Sequence, residues 1–95
     1  MNEAQRAFLY DSAELYIWWK PPSESMLYPQ RILAQIMNIG FWEDWCKMSE
    51  LFSDQNLQDV LDTAEIGQFN ERSWHFWHNR LSGGHIPPMP ERKLP

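Results

Sequence analysis

The residues best suited to chemistry lie in one segment, SWHFWHNRLSGGH, which spans residues 73–85 and contains all three histidines of the 95-residue chain. His75 and His78 are three positions apart, so on a helix their imidazoles lie on neighbouring parts of one face. Imidazole binds zinc well, but a catalytic zinc needs three protein ligands in a fixed geometry. His85 follows two glycines that leave its backbone free, and no HExxH or carboxylate-spaced motif accompanies the pair. We therefore expect solvated or hydrogen-bonded histidines, with no metal and no other cofactor.

Catalysis has little support in the sequence. The chain lacks a glycine-rich phosphate loop, a nucleophile elbow and a kinase signature. Its single cysteine, Cys46, stands near Trp42 and an apolar stripe, where a buried and unreactive thiol is the commoner case. A short single domain also offers little room for a shaped substrate pocket. The sequence thus predicts a protein that is not an enzyme.

Hydrophobic periodicity predicts the elements that must position these residues. No segment has the two-residue alternation of a strand, so we expect an all-α fold, a compact bundle of four to five short helices with a tryptophan-rich core. Residues 1–84 form the single domain, and residues 85–95 form a flexible, proline-rich tail outside the core. Pro29 and Gly40 bound the best-defined helix. Residues 3–16 have a weak helical pattern, and the stretch LYIWWKPP could equally be an extended hook that ends at Pro21 and Pro22.

The predicted core consists of apolar stripes, one on each helix. Six tryptophans contribute to it, and an aromatic side chain buries roughly 150–250 Å², which compensates for a short chain. The stripes are Ile32, Leu33, Ile36 and Ile39; Phe41, Trp45, Met48 and Phe52; Leu57, Val60, Leu61 and Ala64; and Trp74, Trp77 and Leu81.

Phe76 falls outside the last of these stripes. On a helix over residues 71–81 it shares the outer face with Arg72, Asn79 and Arg80. A phenylalanine ringed by arginine and amide groups has the composition of a binding hot spot. The equally weighted alternative is that the N-terminal segment or the IPPMP stretch of the tail folds over the ring.

Charge indicates the kind of partner. The net charge is −5, and residues 43–65 contain seven acidic residues against one lysine. Because affinity for polyanions comes from lysine and arginine, nucleic acid is a disfavoured partner. An acidic segment attracts a basic protein or simply keeps the chain soluble. Within it we select the helix over 54–62, with Asp59 and Asp62, as a second candidate contact surface.

The amino terminus and the apolar runs indicate the compartment. MNEAQRAF is polar and lacks the apolar region of a signal peptide, and the longest apolar run, LYIWW, is five residues. One cysteine excludes an intramolecular disulfide. We expect a cytoplasmic protein without a membrane partner.

The order YIWW…YPQRILAQIMNIGFWEDW…LFSDQNLQDVLDTA…FNERSWHFW resembles a group of small, uncharacterised bacterial helical proteins. The resemblance runs from residue 15 to residue 78. Members of that group look like the small upstream partner encoded beside a nucleotidyltransferase-type toxin of the abortive-infection class, which implies an antitoxin-like role. The matching positions are Trp18, Ile32, Ile36, Gly40, Asp44, Leu51, Leu57, Leu61, Arg72, Ser73, Phe76 and Trp77.

Together these features predict a non-catalytic protein–protein interaction module, an antitoxin-like regulator of a protein partner. The alternative is a nucleic-acid-associated regulator that binds through the helix over 71–81, whose arginines and aromatic rings suit base stacking. The sequence leaves open whether the chain forms a homodimer.

Overall fold

The computed structural model describes residues 1–91, which form six α-helices and contain no strand. The helices are α1 Glu3–Tyr16, α2 Pro22–Ser25, α3 Pro29–Ile39, α4 Trp42–Leu51, α5 Asp54–Asp62 and α6 Glu71–Leu81. The predicted all-α class is confirmed. The count exceeds the predicted four to five because α2 adds a single turn, which the fixed φ of Pro22 favours at the first helical position.

Side-chain caps fix where several helices begin. The Asn2 side chain accepts a hydrogen bond from the Gln5 backbone N–H at 2.8 Å, and the Gln5 side-chain oxygen accepts one from the Asn2 backbone N–H at 2.9 Å, which completes a capping box. Ser53 forms the same motif before α5, and the Asn70 side chain caps α6 by accepting from the Ser73 N–H at 2.8 Å. The capped α1 confirms the helix over residues 3–16, whereas residues 17–21 of the LYIWWKPP stretch lie outside any helix.

The last turn of α3 is the anchor of the fold. This helix contacts each of the other five, and the free carbonyls at its C-terminal end need hydrogen-bond donors. On α6, Trp77 donates to the carbonyl of Met37 and Ser73 to that of Asn38. On α4, Trp45 donates to the carbonyl of Ile36, which also accepts from the Gly40 N–H at 2.7 Å. These bonds place the tryptophans of both helices against one end of α3.

Gly40 follows α3, and glycine is required there because the Trp45 indole and the Ile36 carbonyl approach its Cα closely. Its φ of −67° is accessible to any residue, so conformational freedom is not the reason for glycine here. A Cβ at this position would lie 2.8 Å from Nε1 of Trp45 and closer still to the carbonyl oxygen of Ile36. The glycine therefore leaves room for the indole that joins α4 to α3.

Most of the predicted stripes are buried, and the exceptions lie where helices meet. Ile39 and Phe41 are 52% and 63% exposed, so their assignment to the core was wrong. Ile39 is the last residue of α3, and Phe41 is the extended residue that precedes α4, where the helical wheel does not apply. Trp74 and Trp77 are buried as predicted.

The described part of the tail has no regular secondary structure but contacts the core. The sequence places residues 85–95 outside the core, whereas the structure packs Ile86 and Met89 against it. The cause is the indole of Trp74, whose N–H donates to the carbonyl of Pro87 at 2.8 Å. The prediction of flexibility stays a prediction, and the part of it that concerns residues 92–95 lies outside the described residues.

Candidate functional site

A pocket of about 220 Å³ lies between α4 and α6, and its walls are mainly aromatic. We call it the aromatic pocket. Its lining comprises Trp42, Trp45, Cys46 and Ser49 of α4 with Phe76, Trp77 and Arg80 of α6. It therefore includes two residues that the sequence selected as candidate contacts, Phe76 and Arg80.

The floor of the aromatic pocket is held in place by Trp45. Its indole N–H donates to the Ile36 carbonyl at the end of α3. Its ring packs against Phe76 and Trp77, with centroids 5.0 and 5.2 Å away. Aromatic pairs at such distances stabilise each other beyond simple burial, so the rings form a preorganised surface.

The amino-terminal end of α4 is held by Tyr16 of α1. The Tyr16 hydroxyl donates to the carboxylate of Asp44 in the first turn of α4 and accepts from the Phe41 N–H at 3.1 Å. Burial, and then the hydrogen bond to Asp44, raise the pKa of Tyr16 above its usual value of 10.0. The phenol therefore stays protonated as a donor, which positions the turn that carries Trp42.

Phe76 is 37% exposed, and neither sequence-based interpretation describes it fully. The described tail packs along Trp74 and His75, and the residues that approach the Phe76 ring belong to α4. One side of the ring contacts Trp45 while another faces the aromatic pocket. Phe76 thus forms part of a concave wall.

Trp42 and Cys46 were missed as site residues. Trp42 is 62% exposed and Cys46 is exposed, so the expectation of a buried thiol was wrong. They stand at i and i+4 with Ser49 at i+7, and this face of α4 borders the pocket rather than the core. The spacing was visible in the sequence, but it does not reveal that α6 lies opposite.

Arg72 and Arg80 flank Phe76 at four positions before and after it, so the three lie on one stripe of α6. Both arginines are exposed, and within residues 1–91 neither side chain has an ion pair or a hydrogen bond. Arg80 lines the aromatic pocket, and Arg72 lies one turn before Phe76. Asn79 is exposed on the outer face and does not line the pocket.

Asp59 and Asp62 belong to a different surface. Both are exposed on α5, where Asp59 accepts from the Gln55 amide at 2.8 Å and Asp62 from the Gln58 amide at 2.9 Å. Neither lines the aromatic pocket. The structure therefore does not bring the two predicted contact surfaces into one site.

The histidines do not form a cluster. His78 is 2% exposed, and its Nδ1 lies 3.3 Å from the hydroxyl of Ser82, which donates onward to Gln58. Because that hydroxyl has a single proton, Nδ1 of His78 must donate to it, which leaves Nε2 as a buried acceptor without a partner among the described residues. Burial lowers the pKa of His78 below 6.5. His75 and His85 are exposed, and residues 1–91 hold no group of three or more metal-ligating side chains.

Two further findings complete the description. Over the described range, no helix has both the length and the apolar character needed to cross a membrane. Comparisons with protein-family models, with curated proteins and with solved structures find no match to this chain.

Proposed function

We propose that this chain is a non-catalytic protein-interaction module and that its partner binds at the aromatic pocket. The observation that carries the proposal is the exposure of large rings around a preformed hollow, with Trp42 62% and Phe76 37% exposed. Contiguous exposed apolar surface of this kind marks interaction sites. Tryptophan, phenylalanine and arginine are also the residues enriched at the centres of protein interfaces.

The size of the aromatic pocket favours a protein over a small molecule. Its volume is about 220 Å³, whereas sites for drug-sized ligands and cofactors typically measure about 300–1,000 Å³. A hollow of this size suits one apolar side chain of a partner, inserted as an anchor.

Charge around the aromatic pocket disfavours the alternative of a nucleic-acid-associated regulator. Arg72 and Arg80 on α6 would attract phosphate, but Glu43 and Glu50 are exposed on α4, the helix that supplies the other wall of the pocket, although they do not line it. The chain as a whole carries a net charge of −5. Because phosphate contacts supply most of the affinity for nucleic acid, a rim of mixed charge is better matched to a protein.

We assign the module an antitoxin-like role on the resemblance described above, with a nucleotidyltransferase-type toxin as its partner. The test is co-expression of this chain with the product of the neighbouring gene, followed by co-purification. Retention of the neighbour supports the assignment, whereas a chain that purifies alone contradicts it.

The pocket itself is tested in the same complex with Trp42→Ala and Phe76→Ala. We expect each to weaken retention of the partner at least tenfold, as hot-spot truncations do. Trp18→Ala is the matched control, because Trp18 is 76% exposed and lies outside the pocket. If the control and the pocket variants retain the partner equally, the partner binds elsewhere.

A further inference from the structure

The rim of the aromatic pocket extends the site along both helices. On α6 the stripe Arg72–Phe76–Arg80 covers eight residue steps, about 12 Å. On α4 the pocket-lining residues run from Trp42 to Ser49, about 10 Å. We call the aromatic pocket together with these two stripes the groove; each stripe is about as long as two turns of a helix.

The two sides of this groove carry opposite charge. On α6, Arg80 lines the pocket and Arg72 lies on the same stripe. On α4, Glu43 and Glu50 lie outside the pocket lining, about 60° and 40° from Cys46 on the helical wheel. All four are exposed. None has an ion pair or a side-chain hydrogen bond to any other part of the described chain. Their charges are thus available to a partner.

The walls of the groove favour a helix as its occupant. Both walls are helices whose backbone groups are paired within the helix, so they offer no edge to which an extended strand could add. A helix, in contrast, projects an apolar stripe with a charged flank on each side. Such a helix can insert one apolar residue and pair both of its flanks at once.

We propose that the groove binds an amphipathic helix of a partner protein whose apolar stripe enters the aromatic pocket, with acidic residues along the flank that faces α6 and basic residues along the flank that faces α4. This inference rests on the proposed function and adds the chemistry of the partner. The charged flanks orient the helix, and the apolar anchor supplies most of the affinity.

The test uses three synthetic helical peptides of about 18 residues, long enough to be helical in water. They share one leucine stripe and differ only in their flanks, which are glutamate and lysine, glutamate on both sides, or lysine on both sides. Binding is measured by fluorescence anisotropy of labelled peptide. Protection of Cys46 from alkylation locates the bound peptide, because Cys46 is the single cysteine of the chain and lines the pocket.

The peptide with one acidic and one basic flank is expected to bind about three- to tenfold more tightly than the other two. It should slow the alkylation of Cys46 in the parent chain and should not bind Trp42→Ala. Equal affinity for the three peptides overturns the inference, as does the absence of binding up to about 1 mM. Self-association of the chain that is abolished by Trp42→Ala would assign the groove to a second copy and would also overturn it.

Charge reversal provides the sharper test. With Arg72→Glu and Arg80→Glu both sides of the groove become acidic, so preference should move to the lysine-flanked peptide. With Glu43→Lys and Glu50→Lys both sides become basic, so the binding preference should move to the peptide with glutamate on both flanks. All four positions are exposed, so both double variants should keep the parent melting temperature.

Failure of the inference and failure of the proposed function give different results. If the natural partner is lost with Trp42→Ala but retained by both charge-reversed variants, the pocket is the binding site and the two-flanked helix is wrong. If the partner is also retained by Trp42→Ala, both proposals fail together.

Discussion

The six tryptophans divide into two groups, according to whether the indole N–H donates a hydrogen bond within the described chain. Three indoles donate their N–H to main-chain carbonyls: Trp45 to Ile36, Trp74 to Pro87 and Trp77 to Met37. The other three donate to no acceptor among the described residues and are more than half exposed: Trp18 at 76%, Trp19 at 56% and Trp42 at 62%. An indole enters a core at low cost only when its N–H finds an acceptor.

This comparison separates stability from binding within one residue type. Trp45 and Trp77 donate to the last carbonyls of α3, and Trp74 donates to a carbonyl of the tail. The tryptophans without acceptors sit at the turn after α1 and at the mouth of the aromatic pocket. Substitution should therefore destabilise the fold in the first group and change stability little in the second, where Trp42 alone lines the aromatic pocket.

Trp77→Ala should have the largest effect. Trp77 is 1% exposed and supports Trp45 as well as the Met37 carbonyl. We expect a loss of about 3–5 kcal/mol in the free energy of unfolding, measured by urea denaturation. Trp77→Phe should recover part of it while leaving the carbonyl without its donor. Trp18→Ala serves as the control, and an equal loss there would end the distinction between the groups.

Gly40→Ala should cause the second-largest loss of stability. The added methyl would press on the Trp45 indole and the Ile36 carbonyl, so the bond between α4 and α3 must lengthen. We expect a cost of about 1–3 kcal/mol, as for overpacking of a core. Ile39→Ala is the neighbouring control, because Ile39 is 52% exposed. A neutral Gly40→Ala would show that Trp45 is not held by this contact.

The sequence predicts the first group better than the second. Trp74 and Trp77 stand three residues apart on a clear helix, and periodicity alone identifies them as core. Trp42 and Trp45 have the same spacing, yet only Trp45 packs against the core. The helical stripe of α4 includes Trp45 and omits Trp42, so it predicts which of the two packs against the core. It does not predict that α6, two helices further along the chain, lies opposite Trp42.

The same reason explains what else the sequence missed. Phe41 fits a helical stripe but precedes the helix in extended conformation, so its assignment to the core was wrong. Phe76 and Arg80 were identified because they depart from their stripe, which is a local signal. The α4 wall of the pocket, with Trp42 and Cys46, had no such signal because it depends on tertiary packing.

The third-largest effect on stability is expected at His78, whose buried ring lies beside Trp74. His78 packs on Trp74 with centroids 4.3 Å apart, and burial lowers its pKa. Asp62 opposes this shift, while His85 and His75 add to it. Because the unfolded chain takes up the proton first, the free energy of unfolding should fall as the pH drops below about 6.5, until His78 titrates in the folded state.

That pH dependence is checked by urea denaturation between about pH 5 and pH 7, above the range in which ordinary carboxylates titrate. His78→Gln should flatten the profile, whereas His75→Gln should leave it in place because His75 is exposed. A flat profile in the parent chain would show that the folded state accommodates the charged ring.

Trp42→Ala should change stability least. The indole is 62% exposed and donates to no acceptor in the described chain, so we expect a change within about 0.5 kcal/mol. Phe76→Ala, which loses the Trp45 contact, should cost about 1 kcal/mol. If Trp42→Ala instead unfolds the chain, then neither exposure nor the lack of an indole hydrogen bond predicts which tryptophans stabilise the fold. If Trp42→Ala preserves the melting temperature and abolishes partner retention while Trp18→Ala retains the partner, the exposed indole of Trp42 contacts the partner and is not needed for the fold.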